Sequence, residues 1–217
     1  MEIEQRSLGP VRIAWTDASF VDADLDAIMR RLGGDQLHRY RQLDAVRARR
    51  FATGRLLLTA LVAPTHDGAT TISSVCAHCG GDHGRPQVDG APLAVNLSYA
   101  GDMVVAAAVP RISASAVGID VERVSSDGPA GLLRDLAPLY APLPPPTLER
   151  WTAFEAVVKA DGRGLRIPPA DVAFGEASAL LLPGGQTVRI AGERVAIEVA
   201  PAPGPPGHTV SIAIVAA

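Results

Sequence analysis

Cysteine is scarce in this chain of 217 residues, and long apolar stretches are missing. Two cysteines are fewer than many secreted domains of this size carry. No apolar run approaches the roughly 18 residues that span a bilayer, and residues 103–109 are followed at once by Pro110 and Arg111. Residues 1–10 lack the apolar core of a secretory signal. We therefore expect a soluble, cytoplasmic protein without membrane contact.

A strong net charge is missing as well. The formal charge is −3 at pH 7, which argues against a general binder of nucleic acid. Hydrophobic residues make up 47% of the chain and charged residues 20%, far from the composition of disordered proteins. The length allows one large domain or two small domains of about 100 residues, each able to bury a core.

Arginine is concentrated in one segment of this weakly acidic chain. Eight arginines between positions 30 and 55 stand against two acids, Asp35 and Asp44. Such a run is typical of a solvated helix face. It is equally suited to an anion site, because arginine forks match phosphate oxygens in bidentate geometry. The eight are Arg30, Arg31, Arg39, Arg41, Arg47, Arg49, Arg50 and Arg55.

Apolar spacing and turn residues predict a mixture of helices and strands. The predicted strands are 11–15, 93–97, 103–109 and 116–121, with further short strands over 172–215. The predicted helices are 22–31, one long helix or a broken pair from Asp35 to before Pro64, and one that opens at Pro146-Thr147 and stops at Gly162. A proline-rich connection is expected over 138–146.

The order strand, helices, strands occurs once in each half of the chain. The basic helix near Arg50 corresponds in position to the helix near Glu155. This weak repeat predicts an α+β fold of two similar, pseudo-twofold-related lobes with a cleft between them. Residues 1–112 would form a basic N-terminal lobe, and residues 113–217 would form a C-terminal lobe that brings carboxylates.

Two carboxylates alternate on one predicted strand. In the segment Gly118-Ile-Asp-Val-Glu122, Asp120 and Glu122 are separated by one residue and therefore point to the same face. Adjacent carboxylates repel each other, and a hard divalent cation is a common reason to place them together. Two solvent-facing acids on an exposed strand would give the same pattern.

A third carboxylate stands on the predicted helix that follows. Trp151, Glu155 and Lys159 recur at steps of four residues and share one helix face. The spacing alone is also that of an ordinary surface pair of glutamate and lysine. A functional role is favoured because Gly118-Ile-Asp-Val-Glu122 precedes this helix by about thirty residues and the turn Asp161-Gly-Arg-Gly164 follows it directly.

These motifs resemble those of phosphopantetheinyl transferases of the surfactin-synthetase-activating type. The signatures of that family are a Gly-(Ile/Val)-Asp-(Ile/Val/Leu)-Glu strand and a Trp-(Ser/Thr)-x-Lys-Glu-(Ala/Ser)-x-x-Lys helix followed by a glycine-rich turn. They stand here at 118–122 and 151–159. Segments 47–57, 84–86 and 96–98 extend the resemblance, which covers roughly residues 35–175.

The resemblance implies a monomer that binds coenzyme A and magnesium in the cleft between its lobes. It would transfer 4′-phosphopantetheine to a serine of an apo acyl or peptidyl carrier protein of fatty-acid, polyketide or nonribosomal-peptide synthesis. Asp120, Glu122 and Glu155 would be the metal ligands, and Lys159 would face the attacked phosphate. The phosphates of coenzyme A would be held by Arg47, Arg50, Arg85 and Ser98, with Tyr99 beside them.

The chemistry of these residue types fits that reaction. Charge grows on the leaving oxygen of a diphosphate, so magnesium and Lys159 can stabilise the transition state. A serine hydroxyl is a poor nucleophile at neutral pH, and Glu155 is the candidate base that accepts its proton, either directly or through metal-bound water. The leaving group would be adenosine 3′,5′-bisphosphate.

Two positions depart from the family pattern. Tyr99 stands where members commonly have a histidine that contacts a phosphate, and a neutral hydroxyl can still donate one hydrogen bond. Phe154 stands where a lysine usually precedes the helix glutamate. This second departure bears on the metal environment or on carrier docking.

The segment Cys76-Ala-His-Cys79 contains half of a tetrahedral zinc site. His78 and His83 are the nearby residues that could complete it, and a reduced pair of loop cysteines is the alternative.

Other functions with the same residues stay open at this point. One is another magnesium-dependent transferase that cleaves a diphosphate, although no Gly-x-x-x-x-Gly-Lys-(Ser/Thr) loop is present. Another is a degenerate relative that binds coenzyme A or a carrier protein without turnover.

Overall fold

A computed structural model describes residues 3–21, 24–65, 71–76, 79–82, 84–124, 130–177 and 180–217. Within this part of the chain, helices and strands are mixed, as the sequence predicts. None of the helices there is both long enough and apolar enough to traverse a lipid bilayer.

The bounds of the helices and strands are as follows. In chain order they are β1 (Glu4–Leu8), β2 (Val11–Asp17), α1 (Leu25–Leu32), α2 (Gly34–Gln42), α3 (Ala45–Val62), β3 (Thr71–Ser73), β4 (Gln87–Asp89), β5 (Leu93–Ala100), β6 (Met103–Pro110), β7 (Ala114–Arg123), α4 (Ala130–Tyr140), α5 (Leu148–Asp161), β8 (Val172–Ala177), β9 (Gln186–Ile190), β10 (Ile197–Pro201) and β11 (His208–Ala216).

The strands form two large antiparallel sheets and one small one. The first sheet has the order β1-β2-β6-β5, the second has the order β7-β11-β10-β9-β8, and β3 pairs with β4. In the first sheet β5 is an edge strand, and in the second sheet β7 is an edge strand. These two edge strands lie against each other, so the two sheets meet where the predicted site residues are.

Alternation along β6 shows how the core is layered. Val105, Ala107 and Val109 pack with residues of the second sheet, such as Ile119 and Ile212. The intervening residues of β6 face the other way and pack against α3. Because side chains of a strand alternate between its faces, one strand contributes to both cores. The first sheet therefore lies between α3 and the second sheet.

Helix α5 covers the outer face of the second sheet. Phe154, Val157 and Val158 of α5 are buried against Val199 and Ala213 of that sheet. The Thr147 side chain caps the helix by accepting a hydrogen bond from the Arg150 N–H, and Gly162 ends it with φ of 97°. Both ends agree with the sequence prediction.

The basic segment folds as the broken pair of helices. Helix α2 ends at Gln42, and the Asp44 side chain begins α3 by accepting a hydrogen bond from the Arg47 N–H. Phe51 and Ala52 of α3 then pack beneath α1 and α2. The arginines of this segment are thus brought to one region by two helices rather than one.

The predicted proline-rich connection starts later than expected. Helix α4 runs through Pro138 and ends at Tyr140, so the prediction of irregular backbone from position 138 is wrong for its first three residues. Proline removes one helical hydrogen bond. The helix nevertheless goes on to Tyr140, and Tyr140 is buried against Trp151 and Phe154.

Gly118 has no Cβ, and this allows α5 to lie close to β7. A Cβ at this position would collide with the carbonyl oxygen of Ala156 and with the N–H of Ala160. Both atoms belong to helix backbone, which has no rotamer to change. The approach of α5 to β7 therefore requires glycine at position 118.

We expect Gly118→Ala to lower the free energy of unfolding by at least the roughly 1–3 kcal/mol typical of overpacked cores. The matched control is Gly131→Ala in α4, where the nearest atom to a new Cβ is 4.0 Å away. That variant should keep or slightly raise stability because alanine favours helix. Urea unfolding measures both, and equal stability of the two variants would contradict the close contact.

Candidate active site

Alternation along β7 directs two carboxylates toward α5. Ile119 and Val121 face the core between the sheets, so Asp120 and Glu122 share the opposite face of the strand, as the sequence predicts. This face is turned to α5. The Trp151 indole Nε1 donates a hydrogen bond of 3.0 Å to Glu122 Oε1. The Lys159 ammonium donates to Asp120 Oδ1 over 2.6 Å. Trp151 and Lys159 lie at the two ends of one face of α5, and each bonds one of the two carboxylates on the facing side of β7.

Lys159 lies at the centre of this cluster. Its Nζ is 2.6 Å from Asp120 Oδ1, 3.0 Å from the hydroxyl of Ser98 and 3.6 Å from Glu155 Oε2. The Ser98 hydroxyl in turn donates to the same Asp120 oxygen over 2.8 Å. Ser98, Asp120 and Lys159 therefore form one hydrogen-bonded group, to which Glu155 is joined by an ion pair.

Burial shifts the protonation of all three carboxylates in one direction. Loss of water raises the pKa of Asp120, Glu122 and Glu155 above their ordinary values. The neighbouring acids add to the rise for Glu122 and Glu155, while Lys159 opposes it at every site. Because Lys159 lowers all three pKa values and Asp120 raises those of Glu122 and Glu155, the three side chains share one electrostatic environment.

The residues here have the chemistry of a divalent-cation site. Carboxylate oxygens are the ligands that magnesium prefers, and Asp120 Oδ2 is buried without a hydrogen-bond partner among the described residues. Across the described ranges, no three His, Cys, Asp or Glu side chains come together at the separation of a metal site. The Lys159 ammonium instead occupies the position between Asp120 and Glu155.

The zinc hypothesis for the cysteine segment concerns a different part of the molecule. Cys76 and Cys79 belong to a tight turn in which the Gly80 N–H donates to the Cys76 carbonyl and the Cys76 N–H donates to the Gly81 carbonyl. His78 and His83, which the hypothesis also names, lie outside the described residues.

A pocket of about 410 Å³ is lined by arginines from both α2 and α3. Its described lining contains four arginines and no acidic side chain. Two of the four, Arg47 and Arg50, are among the predicted phosphate contacts. The lining residues are Arg39, Leu43, Arg47, Arg50, Phe51, Arg55, Gly84, Pro86, Leu97 and Tyr99.

Arg55, like Arg39, is an arginine of this pocket that the sequence prediction did not assign to the phosphates. It is 4% exposed, and its guanidinium lies 4.0 Å above the Phe51 ring. Its hydrogen bonds go to Gln36 Oε1 and Ser74 Oγ, both neutral groups. Burial lowers its pKa, since a desolvated cation without a facing carboxylate is poorly stabilised. The spacing of Phe51 and Arg55, four residues apart on α3, is the signal that could have identified it.

The other arginines of the pocket are nearer to solvent and partly paired. Arg50 Nε donates to Asp102 Oδ1 over 2.8 Å, and Arg39 donates to the carbonyl of Asp82. Arg47 lies 3.4 Å from Asp44, with both side chains largely exposed. Exposed pairs of this kind contribute little to stability, so these arginines can exchange a surface carboxylate for another anion.

Strand β5 connects the arginine pocket to the carboxylate cluster. Ser98 is buried and reaches Asp120, whereas Leu97 and Tyr99 face α3 at Gly54. A Cβ on Gly54 would lie 2.6 Å from the Tyr99 hydroxyl, so glycine there admits the phenol. Tyr99 is 40% exposed overall, but its hydroxyl is buried beside Arg55, and this burial raises the pKa of the phenol. Ser98 and Tyr99 are adjacent in β5, but Ser98 belongs to the carboxylate cluster and Tyr99 lines the arginine pocket.

Arg85 lies in a neighbouring pocket rather than with the other predicted phosphate contacts. Its Nη1 donates to the carbonyl of Ala160 over 3.0 Å, and with Arg163 and Arg166 it lines a pocket of about 370 Å³. Gly84 lines both pockets, so the two are adjacent. Ser98 is likewise engaged with Asp120 and Lys159.

Phe154, the second departure from the family pattern, is part of the core. It is 1% exposed and packs edge-on against Tyr140, with the Trp151 ring 5.7 Å away. Trp151 also donates to Glu122. The aromatic side chain therefore supports the tryptophan that holds a carboxylate, and it does not itself reach the carboxylate cluster by any described contact.

We expect Phe154→Lys, which introduces the family residue, to lower the free energy of unfolding by at least about 3 kcal/mol, the typical loss for truncating a buried phenylalanine. The buried ammonium would add a desolvation cost. Phe154→Leu, which keeps an apolar side chain, should lose much less. Thermal and urea unfolding compare the two, and a lysine variant as stable as the wild type would mean that position 154 reaches solvent.

Comparisons with known proteins were made for the whole chain. No family model matches its sequence. A search of curated proteins likewise finds no match. What bears on the function is the geometry of the site together with the motifs of the sequence.

Proposed function

We propose that this chain is a phosphopantetheinyl transferase, which moves 4′-phosphopantetheine from coenzyme A to a serine of an apo carrier protein. One observation carries the proposal. Lys159, Ser98 and the carboxylates form a cluster, and Tyr99, the next residue of β5, lines the arginine pocket. A cation-binding group and an anion-binding pocket are thus one residue apart, as a diphosphate substrate requires.

The proposed architecture is two pseudo-twofold lobes, residues 1–112 and 113–217, that act as a monomer. It is supported by the packing of α3 on one face of the first sheet and of α5 on one face of the second. The substrate would lie where the edge strands β5 and β7 come together. The basic and acidic halves of the site would then come from different lobes.

The arginine pocket would bind phosphates of coenzyme A. Four arginines line it without an acidic side chain among the described lining residues, and Arg55 has neutral partners. An anionic phosphate would supply the charge that these partners lack. Arg85, from the adjacent pocket that shares Gly84, would approach the same ligand from the other side.

Asp120, Glu122 and Glu155 would hold magnesium, for which their oxygens are suited. Asp120 Oδ2, buried and without a described partner, is the oxygen most in need of a cation. When bound, magnesium supplies neutralisation of the developing negative charge on the diphosphate. Ser98 fixes the orientation of Asp120 through its hydrogen bond of 2.8 Å.

Glu155 and Lys159 would carry the proton and charge changes of the reaction. The serine oxygen of the carrier attacks the phosphorus that bears pantetheine, its proton passes to Glu155, and the bond to adenosine 3′,5′-bisphosphate breaks. Lys159 would donate to a phosphate oxygen as charge accumulates there.

The test is the intact mass of an apo carrier protein incubated with coenzyme A, magnesium and a small amount of this chain. We expect each carrier to gain one phosphopantetheine over many turnovers. Glu155→Gln and Asp120→Asn keep the shape of the side chains and should each abolish the gain, with unfolding curves close to wild type. Modification limited to less than one carrier per protein molecule would indicate a degenerate relative. Cleavage of coenzyme A without carrier modification would indicate another diphosphate-cleaving transferase.

The arginine pocket gives a second expectation. Arg50→Ala should weaken coenzyme A binding by about 1.5–3 kcal/mol, the value of a hydrogen bond to a charged group. Arg49→Ala is the matched control, because Arg49 is the adjacent residue of the same helix but bonds the Ser19 carbonyl instead. Calorimetry with coenzyme A and with dephospho-coenzyme A would identify whether the pocket binds the 3′-phosphate. Equal losses in the two variants would mean that the arginines act through general charge alone.

A further inference from the structure

Lys159 is the single lysine of a chain that contains nineteen arginines. Every other permanently charged basic side chain is a guanidinium, a wide and flat group. The lysine ammonium is instead a compact point charge on a flexible stem of four carbons. The one lysine stands on α5, among the carboxylates of the proposed active site.

The surroundings of the ammonium are those of a cation site. Three oxygen atoms surround it, at 2.6 Å on Asp120, 3.0 Å on Ser98 and 3.6 Å on Glu155. Asp120 is 5% exposed as a side chain and Glu155 15%, so solvent contributes little screening. A divalent cation bound by Asp120 and Glu155 would lie against the same two carboxylates and would be repelled by the ammonium at short range.

The lysine side chain has room to leave these oxygens. It is 26% exposed, more than either of its acidic partners. Its Nζ donates to the hydroxyl of Ser98, and the next residue of β5, Tyr99, lines the arginine pocket. A partner of the ammonium is therefore followed directly along β5 by a residue of the proposed phosphate pocket.

We propose that Lys159 competes with the divalent cation for the carboxylates, an inference that rests on the function proposed above. In the cation-free protein its ammonium neutralises Asp120 and Glu155 and holds them together. When the cation binds, the ammonium leaves Asp120 and turns toward the phosphate of the bound substrate. Cation binding and the presentation of Lys159 to the substrate are then one coupled event.

Thermodynamic linkage makes this competition measurable without any turnover. Lys159→Met removes the charge and keeps the length of the side chain, and it should bind Mn²⁺ at least about tenfold more tightly than the wild type, within the usual range of coupling between sites. Lys159→Arg keeps the charge and should bind Mn²⁺ no more tightly than the wild type. Free Mn²⁺ is counted by electron paramagnetic resonance.

Two further variants control this titration. Arg163→Met also removes one positive charge, but Arg163 pairs with Asp161 and Glu193 outside the cluster, so its Mn²⁺ affinity should stay at the wild-type value. Asp120→Asn should lose Mn²⁺ binding. If Lys159→Met binds no more tightly than the wild type while Asp120→Asn loses binding, the competition is wrong and the proposed function stands. If Asp120→Asn binds like the wild type, the metal site itself is wrong.

The wild-type protein provides an independent readout that does not depend on the folding of a variant. Because the chain has one lysine, acetylation by an amine-selective reagent followed by peptide mass mapping reports on Lys159, with an added lysine-containing peptide as the reference. We expect magnesium to speed acetylation of Lys159 several-fold relative to that reference, since the ammonium leaves its ion pairs. Unchanged or slower acetylation in magnesium would overturn the proposal.

Discussion

The close contact between helix α5 and strand β7 at Gly118 is the constraint on which the candidate site depends. With no Cβ at position 118, the helix backbone at Ala156 lies directly on the strand. Trp151 and Lys159 then reach Glu122 and Asp120 across this junction. A larger separation would leave the same side chains on the same faces but out of hydrogen-bond range. The chemistry of the site is thus a consequence of packing at one glycine.

The carboxylate cluster places charge where the fold would otherwise place apolar groups. Burial disfavours the ionised forms of Asp120, Glu122 and Glu155, as their raised pKa values show. The positive charge of Lys159 offsets part of this cost of burial. Ser98 donates a hydrogen bond to Asp120, and Trp151 donates one to Glu122. A buried group of this kind is weak evidence for stability, and carboxylates whose pKa values are shifted together in one cluster are typical of functional sites. Its polar character is most simply explained by a ligand.

Local sequence signals predicted much of this arrangement. The cap at Thr147 and the glycine at position 162 gave the ends of α5, and the alternation of β7 gave the common face of Asp120 and Glu122. These features depend on residues within a few positions of one another, where capping and strand periodicity act directly. The helical spacing of Trp151, Glu155 and Lys159 likewise predicted their shared face.

Features that depend on distant parts of the chain were harder to predict. Arg55 and Arg85 are both arginines of basic or glycine-rich segments, yet one lies with Arg50 in the pocket and the other bonds the carbonyl of Ala160. Phe154 lies within the site motif but packs on Tyr140, a residue of α4. The helix that carries Tyr140 passes through Pro138, against local propensity. For Arg85, Phe154 and Tyr140, tertiary packing decides the position of the residue, and spacing along the chain does not encode it.

Anomalous diffraction from crystals grown with coenzyme A and Mn²⁺ tests most directly whether the carboxylates and the arginine pocket bind one substrate and its cation. We expect one anomalous peak in contact with Asp120, Glu122 and Glu155, with the diphosphate of coenzyme A beside it. We also expect a phosphate of the same ligand in the pocket of Arg47, Arg50 and Arg55. Coenzyme A bound away from this pocket, or a manganese ion bound away from the three carboxylates, would contradict this expectation.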